Sequence, residues 1–266
     1  MNTKRLFFGF QVEAPWPKIE LPGRVLAEED RHLTAVFLGN VPYQYLLNLL
    51  PHSPKPLFPV GLAAKFTRCL FLPPQDPRVV AWQVEWLEDA TSLFAFQSTL
   101  MQWVIDQQLP VDRSHPFTPH VTLCRRPFAQ KAWQHEFTLL PCLISHLHLY
   151  ESIGNLGYKP IWTHSLIPPF EEIPHAADLA FRVSGTNLQQ LFLHAQLALA
   201  FRVPALLAQY RNDSIASLEE GVAILNQMIA KQDAETGCGL KAVSYHGVAL
   251  LKKEDPIFTW EMIVDV

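Results

Sequence analysis

Two His-x-Thr triplets, His32-Leu33-Thr34 and His120-Val121-Thr122, constrain this chain more than any other feature. Each opens an apolar, β-prone run, HLTAVFLG and HVTLC. On a strand, residues i and i+2 project from the same face. Each triplet therefore presents an imidazole and a hydroxyl together, with apolar neighbours anchoring the opposite face. Two such strands side by side would gather two histidines and two hydroxyls around one small anion, a set suited to acid–base chemistry on a phosphate. The plainer reading has each histidine capping its strand, its ring satisfied by a backbone carbonyl. Repetition of the triplet in matching surroundings favours a shared site. Arg125 follows the second triplet. Strict alternation turns it away from His120, so the strand must end or bulge before Arg125 can reach the same anion.

Composition narrows the class. With 49% apolar and 17% charged residues, the 266-residue chain can bury a sizeable core, as one large domain or two modest ones. The formal charge of −4 is uneven: residues 1–168 carry 14 Lys+Arg against 13 Asp+Glu, and residues 169–266 carry 7 against 12. Neither part has the basic field of a duplex-binding protein, so nucleic-acid recognition is expected to be local, at an end. Four scattered cysteines, Cys69, Cys124, Cys142 and Cys238, form no C-x-x-C pair and read as buried thiols of a reducing compartment. The apolar N-terminal run is too short for a signal peptide. The apolar stretch 188–209 is broken by His194, Gln196, Arg202 and Pro204. No membrane partner is expected, and the cytoplasm is the expected location.

Strands are expected at 5–12, 32–38, 58–72, 79–86, 118–124, 137–151 and 161–166, with an amphipathic helix within 89–107. Strands mixed with occasional helices argue for an α+β fold. His146-Leu147-His148 reads as a surface-facing strand pair, not a metal site, because alternation puts Glu151 on the other face. A Pro-rich, acidic stretch at 167–174 marks a boundary between units 1–168 and 169–266. Beyond it come a short strand LAFRV and a helix with a capping-box pattern at Thr186 and Gln189. A second helix opens at Ser217, and the chain ends in a β-hairpin built from KAVSYHGVALL and FTWEMIVDV.

The stretches RLFF at 5–8, LPGRVLAEEDRHLTAVFLGNV at 21–41, PFTPHVTLCRRP at 116–127, Leu149-Tyr150-Glu151-Ser152 and Gly157-Tyr158 resemble the 2H phosphoesterases. The similarity is to the RNA 2′,3′-cyclic phosphodiesterases once called 2′-5′ RNA ligases, and it spans residues 1–168. It implies a bilobal fold, two antiparallel sheets around a central cleft. It also implies metal-independent opening of an RNA-terminal 2′,3′-cyclic phosphate, with His32 as proton donor and His120 as proton acceptor. Thr34, Thr122 and Arg125 would bind the substrate. The stretch QVEAPWPKIE at 11–20 leaves little room for the family's first helix.

The second unit resembles archease, a small activator of the tRNA-splicing RNA ligase. The matching pieces are HAAD at 175–178, GTNLQQLF at 185–192, KAVSYH at 241–246 and the closing Val264-Asp265-Val266. The resemblance implies a small, shortened α+β domain in which Asp178, Asp265 and Val266 hold Ca²⁺ or another divalent cation. Ala176 stands where that family carries Thr, and the segment before KAVSYH is much shorter. The implied partners are RNA ends with a 2′,3′-cyclic phosphate and a tRNA-splicing RNA ligase. The alternative is a non-catalytic RNA-end-binding factor that activates or recruits such a ligase.

Overall fold

In β1 (Thr3–Glu13), Leu6, Phe8, Phe10 and Val12 alternate into the core while Arg5, Phe7 and Gln11 take the other face. The same alternation in β3 (His32–Pro42) sends Leu33 inward and leaves His32 and Thr34 beside Gln11 and Gly9 of β1. These strands belong to a computed structural model that describes residues 3–112, 116–244, 251–252 and 257–266.

Around them runs an antiparallel sheet. It contains β2 (Arg24–Val25), β4 (Leu62–Leu72), β5 (Val79–Trp86), β6 (His120–Arg125), β7 (Pro141–Gly154) and β8 (Gly157–Ser165). The order is β1-β3-β6-β5-β4-β7-β8; β2 lies on β6, and β7 also pairs with β1, so the path closes on itself. The two expected sheets are thus lobes of one connected sheet. They join through four residue pairs between β4 and β7, and through the single pair Leu33–Val121 between β3 and β6.

The main helix, α2 (Thr91–Asp106), buries Leu93, Phe96, Leu100 and Val104. Its Gln97 side chain donates to the Ala35 carbonyl at 3.1 Å, fixing it over β3. Two seven-residue helices, α1 (Tyr43–Leu49) and α3 (Gln130–Glu136), are additions to the expected elements; neither is long enough to show a helical period.

A second antiparallel sheet gathers β9 (Phe170–Ile173), β10 (Leu179–Gly185), β11 (Ala242–Val243), β12 (Leu251–Lys252) and β13 (Phe258–Asp265). Two helices accompany it, α4 (Leu188–Arg202) and α5 (Leu218–Thr236). The α4 cap lies one residue later than expected. Asn187 accepts the Gln190 amide at 2.9 Å, and the Gln190 side chain reaches back to the Thr186 amide at 2.8 Å. Ser217 caps α5.

Ten consecutive residues of α4, Leu191–Ala200, are buried, although its sequence suggests a single apolar face. The reason is that α4 packs against its own sheet and, through Leu197, against Ala63 and Leu143 of the first sheet. A buried polar cluster crosses the same seam. Glu88 accepts from the Ala63 amide at 2.7 Å, from Gln190 at 2.6 Å and from His194 at 2.9 Å. The other ring nitrogen of His194 meets the Ser184 carbonyl at 2.6 Å. Burial pushes the Glu88 carboxyl up, but the His194 hydrogen bond and charge, together with the hydrogen bonds from the Ala63 amide and Gln190, hold the group below its ordinary value. Among the described residues, no helix is long and apolar enough to cross a membrane.

Candidate active site

The single Leu33–Val121 pair sets the two triplets against each other. In an antiparallel register, it puts His32 opposite Thr122 and Thr34 opposite His120, all four on one face. Each histidine therefore has the other triplet's hydroxyl beside it. The arrangement is close to two-fold symmetric.

Both rings are held alike. His32 Nδ1 lies 2.7 Å from the Asp30 carbonyl, and His120 Nδ1 lies 2.8 Å from the Thr118 carbonyl. A carbonyl can only accept, so each Nδ1 carries the proton, and Nε2 is the ring atom left for chemistry. The backbone carbonyl of the plainer reading is thus present at both histidines, and it selects the tautomer a proton-transfer group needs.

Three aromatic rings pack around His32. Phe7, Tyr158 and Tyr150 have ring centres 4.6, 4.7 and 5.2 Å from its own, and the residue is 8% exposed. Burial pushes its pKa down to about 4, helped by the positive charges of Arg125 and His120 and opposed by the Asp30 carbonyl. In the free protein at neutral pH, His32 is uncharged.

Arg125 reaches the site because β6 bulges. Val80 pairs with Cys124 and Ala81 with Thr122, so Leu123 is an extra residue that resets the alternation. Arg125 then joins Arg5, Arg24, His32, Thr34 and Tyr158 around a cavity of about 290 Å³. Its guanidinium donates to the Tyr158 hydroxyl at 3.3 Å. A neighbouring cavity of about 470 Å³ takes in Thr34, Gln97, Phe117 and His120. Thr34 and Phe37 border both, while Thr122 borders neither and is placed beside His32 by the register alone.

Several contributors carry no motif of their own. The Asp30 carbonyl orients His32, and its carboxylate accepts the Tyr158 amide at 2.7 Å, tying the β7–β8 turn to the site. Gly23, at φ +147°, lies where a Cβ would come within 2.8 Å of Cys124 Sγ, and this close approach delivers Arg24 to the cavity. Arg5 and Tyr158 sit in stretches quoted for the family resemblance, but nothing in the sequence marks them as neighbours of His32.

His146 and His148 differ from the expected surface pair. Their rings stack at 5.7 Å, and His148 is buried, bonded to Thr163 at 2.9 Å and Gln11 at 3.2 Å. The cause is that β7 is an inner strand, flanked by β1 and β8, whose side chains cover the pair. Burial, with the neighbouring His146, pushes the His148 pKa down to about 4. Cys124 and Cys142 are buried as expected, whereas Cys69 and Cys238 are half-buried.

The three residues expected to hold a cation lie at one end of the second sheet. Leu179 pairs with Val264, so the next step of the register brings Asp178 alongside Asp265. Their surroundings do not fit a metal. The Lys241 ammonium is bonded to the Val266 oxygen, where its charge opposes a cation. Among the described residues, no group of three or more His, Cys, Asp or Glu is gathered closely enough for a metal ion. His246, in the KAVSYH stretch, lies outside the described residues.

No family model matches the chain, and no curated protein matches it. Among solved structures, a phosphoesterase is 19% identical with a TM-score of 0.47, covering 62% of this chain and 99% of its own. LigT of E. coli complexed with 3′-AMP is 20% identical, TM-score 0.46, with the same coverages of 62% and 99%. A protein of Thermus thermophilus is 20% identical, TM-score 0.45, covering 61% of this chain and 97% of its own.

Proposed function

We propose that this protein hydrolyses a 2′,3′-cyclic phosphate at an RNA end to a 2′-phosphate. The reading is carried by the mirrored triplets, in which two histidines share one tautomer and each has a threonine across the strand pair. His120 Nε2 takes a proton from water as the water oxygen bonds to phosphorus. The P–O3′ bond breaks, and His32 Nε2 gives a proton to the departing O3′, leaving a free 3′-hydroxyl. Thr34 and Thr122 donate to the non-bridging oxygens, and Arg125 offsets their charge.

Which histidine is donor and which acceptor follows the family resemblance. The donor role requires His32 to be charged, although burial keeps it neutral when the site is empty. The substrate resolves this, because a phosphate anion beside an imidazole favours its protonated form. The proton thus enters the site along with the phosphate. No step runs through a metal. Among its described residues, the unit 169–266 adds no group to this chemistry; its resemblance to archease makes an RNA ligase the partner class to test by co-purification.

The experiment is to follow a short RNA ending in 2′,3′-cyclic phosphate by ³¹P NMR, in the wild type and in Thr34→Val and Thr122→Val. The expected product is the 2′-phosphate, with kcat/KM falling on the order of a hundredfold in each variant. A 3′-phosphate product, or variants that keep full activity, would overturn the scheme.

A further inference from the structure

The two cavities that meet at Thr34 differ in charge. The one on the His32 side is lined by Arg5, Arg24 and Arg125 and by no carboxylate. Among the described residues, the one on the His120 side is lined by no Lys or Arg and contains Asp112. Most other arginines on the described surface behave differently, Arg68 excepted, which donates to the Gln83 side-chain oxygen. Arg78, Arg126, Arg182, Arg202 and Arg211 each lie within ion-pair distance of an Asp or Glu. Among the described residues, Arg5, Arg24 and Arg125 have no such partner. Arg5 stacks on Phe37, 4.9 Å from the ring centre, and Arg125 rests on the Tyr158 hydroxyl. Three guanidinium groups gathered without a counter-charge repel one another and attract anions.

One cyclic phosphate carries a single negative charge, too little for three cations. Its stereochemistry also gives the excess a direction. With His32 protonating the departing O3′, the ribose and the chain upstream of it lie on the His32 side, while water enters from the His120 side. We infer that Arg5 and Arg24 form a second anion subsite, which binds the phosphodiester immediately upstream of the reacting end. The preferred substrate is then an oligonucleotide terminus, not a free nucleoside 2′,3′-cyclic phosphate. The inference rests on the proposed hydrolysis for its direction, and on the uncompensated arginines for its existence.

The test uses the full-length protein and two dinucleotides that both end in 2′,3′-cyclic phosphate. One has a natural internal phosphodiester and the other an uncharged methylphosphonate. The wild type should favour the charged linkage in kcat/KM on the order of tenfold, the size of a charge-assisted phosphate contact. In Arg5→Gln and Arg24→Gln that ratio should fall, and in the double variant approach one. A wild-type ratio of one, with both dinucleotides turned over, overturns the subsite and leaves the hydrolysis standing. If neither is turned over, the hydrolysis reading fails. The same ratio measured as Kd by fluorescence anisotropy then decides the subsite: tenfold and Arg-dependent supports it, and one overturns it.

Discussion

His32 gives the sharpest quantitative prediction. Burial by Phe7, Tyr150 and Tyr158, with Arg125 and His120 adding repulsion, lowers its pKa from 6.5 to about 4. That difference corresponds to about 3 kcal/mol against the charged ring. At pH 7 roughly one free molecule in a thousand carries the His32 proton. A phosphate charge about 4 Å away, at an effective dielectric near 20, returns about 4 kcal/mol. The two magnitudes are comparable, so one bound phosphate should bring His32 back towards the titration range of an ordinary histidine. The assay is ¹⁵N-histidine NMR of the full chain, with the His32 resonance assigned by its loss in His32→Ala. Without ligand, His32 should titrate near pH 4, with Nδ1 protonated above that. Saturating inorganic phosphate should raise the midpoint by about three units. A midpoint near 6.5 in the free protein would refute the desolvation argument. An unmoved midpoint in bound phosphate would refute the claim that substrate supplies the donor's charge.

Three further outcomes follow from the same geometry. In kcat/KM, which reports the free enzyme, the acidic limb should lie near pH 4 whichever histidine is the donor, because the lower of two required ionisations always sets that limb; a limb near 6.5 would contradict it. Gly61→Ala should destabilise the fold by roughly 3 kcal/mol in urea unfolding, since its Cβ would clash with the Ile144 carbonyl; an unchanged midpoint would count against the β4–β7 junction. His194→Ala strands buried Glu88 at the seam between the units and should cost about 3–5 kcal/mol, also by urea unfolding; a loss under 1 kcal/mol would show the seam to be loose.

The acid sensitivity of the fold has a definite sign. His32 and His148 have folded pKa values of about 4, below the ordinary 6.5, so on acidification the unfolded chain takes up these protons first. Their contribution is complete above pH 6.5 and is lost as pH falls from there through 4. Glu88, also held low, adds its loss below its ordinary value of 4.5. Thermal unfolding should show a steep fall in Tm across this window, and His148→Gln should lessen it.

The parts of this site that repeat locally were legible in the sequence. Alternation places His32 with Thr34 and His120 with Thr122, and the apolar runs around them lie in strands β3 and β6. What local pattern could not supply was register. The Leu33–Val121 pair and the bulge at Leu123 depend on how distant strands meet, and together they decide that Arg125 reaches the His32 cavity. Arg5, Arg24 and Tyr158 converge only through the folded sheet, so no spacing announces them. The all-round burial of α4 was invisible for a related reason: its second apolar partner is another unit's sheet. His148 was misjudged because an inner strand and an edge strand carry the same alternation.

The most direct test of the central claim is turnover of an RNA ending in 2′,3′-cyclic phosphate, with EDTA present, by the wild type, His32→Ala and His120→Ala. The account predicts conversion to the 2′-phosphate by the wild type. It also predicts a loss of at least about a hundredfold in each variant, with the circular dichroism spectrum unchanged. A folded wild type that leaves the cyclic phosphate intact, or either variant retaining near-full activity, would contradict it.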